Sequence, residues 1–202
     1  MENEGGRYKS YGEVLWQYRN EFLVVCPKCG KDAVISTKDN MLENAKLTCS
    51  HCLFIETSTN LLRYKTVVKR NCDTCGKSIN IEITQKEPGD KITVPCPHCT
   101  TIRTYPFRNE TYHCKYKSTG YASDPLFNLP LWLQIEVKGH WLWAYNRRHL
   151  HDIKTYVQAK LRERQSKGYT TMVERLPQFI KEAKNREAVL KGIEQMEQRF
   201  TK

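Results

Sequence analysis

Cys26-Pro-Lys-Cys-Gly30, Cys49-Ser-His-Cys52, Cys72-Asp-Thr-Cys-Gly76 and Cys96-Pro-His-Cys99 decide how this chain is read. Two residues between thiolates let one tight turn aim both sulfurs at a single ion, and a second such turn completes a tetrahedron. The pairs combine in order, because 19 residues separate Cys29 from Cys49 and 20 separate Cys75 from Cys96. That is the C-x₂-C…C-x₂-C spacing of a zinc ribbon, here repeated with a period of 46–47 residues. The expected ligand sets are Cys26, Cys29, Cys49 and Cys52, then Cys72, Cys75, Cys96 and Cys99, with two Zn²⁺ per chain as cofactors. Gly30 and Gly76 directly follow the first knuckle of each unit, where a left-handed backbone suits glycine, and the second knuckles lack that residue.

A ribbon of about 45 residues buries too little apolar surface to be stable alone, so metal must supply much of its folding free energy. Disulfides are the competing use of paired cysteines. The polar start MENEGGRYKSYGEV carries no signal-peptide pattern, and cysteine pairs in a cytosolic chain favour metal. With no apolar run near the roughly 20 residues of a membrane span, the expectation is a cytoplasmic protein without a membrane partner.

The formal charge of +11 counts every cysteine as neutral. A filled Zn(Cys)₄ site carries −2, so two of them lower +11 to +7. Residues 1–60 hold 7 Lys/Arg against 8 Asp/Glu, residues 61–117 hold 11 against 5, and residues 118–202 hold 15 against 9. An anionic partner should therefore meet the second ribbon and the C-terminal region.

The expected fold class is α+β and metal-stabilised: two tandem antiparallel ribbons, then a β-hairpin packed by about three α-helices. The domain boundaries read as 1–70, 71–119 and 120–202. Tyr11, Leu15, Tyr18 and Phe22 predict a short helix running into a strand at 22–25. Ala33-Val-Ile35 and Lys46-Leu-Thr48 predict strands about a turn at 38–40. Ile79, Ile81 and Ile83 alternate with polar residues, and Pro88-Gly-Asp90 turns the chain toward Ile92 and Val94. Leu131–Val137 and Trp141–Tyr145 predict the hairpin about Lys138-Gly-His140. A helix follows from about Arg147 until Gly168. Thr171-x-x-Glu174 fits a capping box for the next helix, and the last spans about Asn185 to Phe200.

Several residues invite sharper readings. His51 and His98 lie inside knuckles, where the turn points them away from the ion. Gly76-Lys-Ser78 imitates a phosphate-binding loop, but Asn71 stands where its first glycine belongs and a strand follows. Cys114 is the odd cysteine; a third metal site with His140, His149 or His151 is a minor alternative. Asp124, Glu136 and Lys138 match the sparse Asp…Glu-x-Lys pattern of metal-dependent nucleases, a remote alternative to a non-enzymatic protein. Arg103, Tyr105, Phe107 and Arg108, then Lys115 and Lys117, interleave cations with rings, a pattern that lets rings stack on bases while cations neutralise phosphates. Packing of those rings inside the second ribbon is the competing reading.

The knuckles Cys26-Pro-Lys-Cys-Gly30 and Cys96-Pro-His-Cys99 resemble the zinc ribbons of the transcription factor IIB type. The stretch from Asp124 through Leu142-Trp-Ala-Tyr-Asn146, with Tyr156 to Arg164 and Ala183-Lys-Asn-Arg186, resembles a group of bacterial proteins described as carrying such a ribbon. The resemblance implies nucleic-acid or protein binding at the ribbon and no catalytic activity. Rubredoxin shares the knuckles, but this chain lacks glycine after each second knuckle. The expected partner is nucleic acid or a complex acting on it, with a protein adaptor as the alternative.

Overall fold

A computed structural model describes residues 7–8, 12–38, 41–117, 121–159, 161–162 and 170–200. The strands are β1 (Arg7–Tyr8), β2 (Glu21–Val25), β3 (Asp32–Ser36), β4 (Lys46–Thr48), β5 (Ile55–Thr57), β6 (Leu62–Asn71), β7 (Ser78–Gln85), β8 (Lys91–Pro95), β9 (Ile102–Pro106), β10 (Asn109–His113), β11 (Gln134–Val137), β12 (His140–Trp143) and β13 (Leu161–Arg162). The α-helices are α1 (Ser58–Leu61), α2 (Arg147–Gln158), α3 (Gln178–Lys181) and α4 (Arg186–Glu197). The class is mixed α+β, with four small antiparallel sheets and one short parallel pair, β1 with β13, among the described residues. No helix among them is long and apolar enough to cross a membrane.

The chain forms two compact units, divided differently from three consecutive segments. Residues 58–115 make one, and residues 1–57 together with 116–202 make the other. The first four cysteines thus belong with the C-terminal region, and a backbone seam explains it. Strand β2 pairs with β3 on one edge and leaves the other open. There Leu23 N–H donates to Tyr145 O at 2.7 Å, Val25 N–H to Pro130 O at 2.8 Å, and Trp132 N–H to Leu23 O at 2.9 Å. Sealed on both edges, Phe22, Leu23 and Val24 are all buried.

In this larger unit β2-β3-β4-β5 is one antiparallel sheet. The hairpin β11–β12 turns on two residues, Lys138 and Gly139, both in the left-handed region at φ 51° and 79°. This is a tighter turn than the three residues expected, and its positive φ pair fits the twist of the flanking strands. Helix α4 covers the hairpin with Val189, Ile193 and Met196, all fully buried. Gly192 permits that approach, since a Cβ there would stand 2.9 Å from Val137 Cγ2 and 3.3 Å from Ile135 Cγ2.

Helix α2 begins where Asn146 caps it, its Oδ1 accepting His149 N–H at 2.9 Å. The same amide donates to Tyr18 O and Glu21 O at 2.8 and 2.9 Å, tying the helix start to the turn before β2 and to the first residue of β2. The helix ends at Gln158, ten residues before Gly168, because Ala159 is extended and buried and leads into the β13 pairing with β1. The Thr171–Glu174 capping box forms, with Thr171 N–H donating to Glu174 Oε2 and Glu174 N–H to Thr171 Oγ1. It closes a turn, however, and α3 starts only after Pro177, whose ring disfavours helix at Leu176. The N-terminal helix is reduced to a single 3-10 turn at Leu15–Tyr18, while Tyr11 and part of the 38–40 turn lie outside the described residues.

The smaller unit holds the sheets β10-β6-β7 and β8-β9. Strands β7 and β8 do not pair with each other as a hairpin across Pro88-Gly-Asp90 would require. Instead β7 takes the long β6, and β8 takes β9. Ile79, Val68, Val94 and Tyr105 form a buried core cluster with Cys72 and Cys96, with Ile81, Ile83, Ile92 and Phe107 partly buried around them.

Candidate metal centres

The eight paired cysteines gather in the two expected sets, the sulfurs of each lying within 4.8 Å of one another. Nearest sulfurs are 3.7 Å apart for Cys26–Cys52 and 3.6 Å for Cys29–Cys49. In the second set they are 3.7 Å for Cys72–Cys99 and 3.8 Å for Cys75–Cys96. A tetrahedron with metal–sulfur bonds of about 2.3 Å has sulfur–sulfur edges of roughly 3.8 Å, whereas a disulfide would need about 2.05 Å. The sulfurs are thus spaced to hold one metal ion per set and are not cross-linked.

Each knuckle is shaped by its own backbone. The N–H of Cys26, Cys49, Cys72 and Cys96 donates to the carbonyl five residues on, at 2.7–2.9 Å. The residue after the second cysteine is left-handed in all four: Gly30 at 73°, Leu53 at 57°, Gly76 at 70° and Thr100 at 59°. The second knuckles adopt the glycine conformation without glycine, which costs about 1–2 kcal/mol at each non-glycine position. Amides turn inward to the sulfurs, Thr74 N–H to Cys72 Sγ and His98 N–H to Cys96 Sγ at 3.4 Å.

Crowded sulfurs ionise unequally. Burial opposes ionisation of Cys49, but the amides of Cys52 and His51 and the neighbouring thiols outweigh it and bring it down to about 6. Burial pushes its neighbour Cys52 up to about 12, with the other sulfurs reinforcing the rise. The Thr101 hydroxyl and amide bring Cys99 down to about 6. At Cys75 the Lys77 amide pulls downward, yet burial and the sulfurs of Cys99, Cys72 and Cys96 prevail and raise it to about 11. One thiolate forms readily and discourages the next. The four cysteines of each set would hold a dication as thiolates and give up their remaining protons on binding it, so metal affinity would fall as pH falls.

The knuckle histidines point away from the sulfurs. His51 Nε2 meets Asp32 Oδ1 at 2.7 Å, and His98 Nε2 meets the Ser78 carbonyl at 3.1 Å. No third cluster of three or more His, Cys, Asp or Glu ligands exists among the described residues. Cys114 is exposed, His140 stacks on Phe179, and His149 is buried among aromatic rings.

Asp124 is occupied by its own loop. It is 1% exposed, and its Oδ1 accepts the N–H groups of Leu126 and Phe127 at 2.8 and 2.7 Å while Oδ2 accepts that of Leu129 at 2.6 Å. Its carboxylate closes its own loop. Lys138 Nζ donates to Asn185 Oδ1 at 3.1 Å, and Glu136 is exposed on β11.

The interleaved segment separates by side chain. Arg103 and Arg108 are exposed, but Tyr105 is 2% exposed inside the smaller unit and lies beneath the Arg70 guanidinium, 4.8 Å from its ring centre. Phe107 is half-buried against Gly89. Pairing of Ile92 with Tyr105 explains the correction: the ring shares the inner face of the β8-β9 pair with Ile92 and is closed to a base. Lys115 and Lys117 are exposed but fall in different units. No family model matches the chain, and no curated protein or solved structure does so.

Proposed function

We propose that this is a cytoplasmic, non-enzymatic zinc protein with two Cys₄ ribbons, whose second ribbon binds nucleic acid through cations alone. The zinc assignment rests on the all-sulfur donor set, the tetrahedral spacing and the absence of any open ligand position, which together suit a closed structural site. The observation that carries the binding reading is charge. Residues 58–115 hold ten Lys/Arg against five Asp/Glu, and Lys69, Lys77, Lys86, Lys91, Arg103 and Arg108 are exposed, their side chains without an ion-pair or hydrogen-bond partner among the described residues.

Anisotropy titration of the zinc-loaded protein with a fluorescent oligonucleotide over a salt series tests this. Arg103→Ala with Arg108→Ala should weaken binding and lower the slope of log affinity against log salt by about one per lost phosphate contact. Unchanged affinity and slope would refute it. The adaptor reading is then favoured by a separate observation on the first ribbon. Leu53 and Ile55, which follow its second knuckle, and Met41 are 82%, 54% and 52% exposed. Such side chains suit a protein surface better than a phosphate backbone.

A further inference from the structure

In the larger unit, the hairpin, α2 and the segment leading into α3 line a partly open cavity of about 60 Å³. Trp141, Trp143, His149, Met172, Arg175 and Ile180 are among its walls. His149 is 2% exposed, with one ring face stacked on Tyr18 at 4.7 Å between centres. Its Nδ1 accepts Tyr145 N–H at 3.2 Å, so in the neutral ring the proton resides on Nε2. Burial holds the imidazole down to about 4, keeping it neutral near pH 7. No protein group accepts the Nε2 hydrogen. A buried donor without an acceptor is rare in folded proteins and calls for an explanation.

The other polar side chains of the wall are donors too. Arg175 is exposed, with no ion-pair or side-chain hydrogen-bond partner among the described residues. The remaining polar side chains are the two tryptophans, whose indoles only donate. A carboxylate only accepts and so matches these donors, whereas a bound water would also have to place its own hydrogens. Size narrows the class further. The cavity exceeds the roughly 10–15 Å³ that one water needs and falls well short of the roughly 150 Å³ that holds benzene.

We propose that this cavity binds a small aliphatic monocarboxylate of two or three carbons, one oxygen accepting from His149 Nε2, the other facing Arg175, and the alkyl end lying against Trp141 and Trp143. The site is independent of the zinc clusters and of the basic surface of the smaller unit.

The test is titration of the zinc-loaded full chain with propionate at constant ionic strength, read by tryptophan fluorescence and by the ¹⁵N resonance of His149 Nε2. Propionamide serves as the neutral isostere. The expected result is saturable binding of propionate in the millimolar range, as so few atoms allow, with displacement of the Nε2 resonance. Arg175→Gln should weaken binding about tenfold or more, the loss of a charge-assisted contact, and leave the melting temperature unchanged because Arg175 is exposed. Equal binding of propionamide, equal competition by chloride, a non-saturating response, or undiminished binding by the Arg175 variant would each overturn the proposal.

Discussion

His149 should make this protein lose stability as pH falls through the range where a free imidazole charges. The ring sits between Tyr18, Trp143 and Tyr145, with Arg148 over Tyr18, Arg175 at the cavity wall and Asp152 accepting from the Tyr18 hydroxyl. Desolvation lowers its pKa from 6.5 to about 4. A depressed histidine means that the unfolded chain binds the proton first, so the stabilisation is complete above about 6.5 and is lost as pH falls toward 4. Linkage over that interval amounts to about 3 kcal/mol in total, of which about 2 kcal/mol is gone by about pH 5. For a unit of this size that corresponds to a fall of about 4–8 °C in Tm between about pH 7.5 and pH 5.

Acid would also release metal held by the cysteine clusters, so the measurement is a difference. His149→Asn keeps an acceptor near the Nδ1 position for Tyr145 N–H but cannot titrate. Thermal unfolding of both proteins, zinc-loaded and free of carboxylate buffers, should show the parent losing stability more steeply, the metal-linked part cancelling. Parallel loss in parent and variant, or a folded-state titration of His149 near 6.5 by NMR, would sink the argument.

Gly192→Ala should destabilise the larger unit by about 1–2 kcal/mol despite alanine's better helix propensity, because the added methyl meets Val137 at 2.9 Å in a packed face; a raised Tm would show that α4 can shift outward. The left-handed knuckle positions give a matched pair: Gly30→Ala, with no atom within 4 Å of the new Cβ, should cost about 1–2 kcal/mol from conformation alone, while Leu53→Gly should stay within about 0.5 kcal/mol of the parent. Equal costs at the two sites, read by chemical denaturation, would rule out backbone strain as the cause. Asp124→Asn should lose about 1–3 kcal/mol, since an amide cannot accept all three loop N–H groups, and a denaturation curve superposing on the parent's would contradict that. Cys72→Ser should abolish hydrogen-exchange protection in β6–β10 and spare α2 and α4, whereas Cys26→Ser should also expose the hairpin, because β2 is bonded to residues 130, 132 and 145. Loss confined to β2–β5 in the second variant would mean that the seam contributes little.

What the sequence determined by itself was local or covalently spaced. The ligand sets follow from C-x₂-C turns and 19–20-residue returns, and the alternating isoleucines of β7 and the apolar face of α4 follow from periods that the backbone imposes. Asp124 entered only a sparse nuclease-like pattern, because residue identity carries no record of burial; the structure shows its carboxylate wrapped by its own loop. Tyr105 looked like part of a stacking surface because alternation tells which residues share a face and not which face is covered, and its burial decides it, while Phe107 stays half-buried. The end of α2 at Gln158 was hidden for a related reason, since its stop depends on a strand at residues 7–8, about 150 positions away. Tertiary structure alone joined the first cysteine cluster to the C-terminal region. An open strand edge exposes N–H and C=O groups that any extended segment can satisfy, and a sequence does not say which distant segment will reach β2 first.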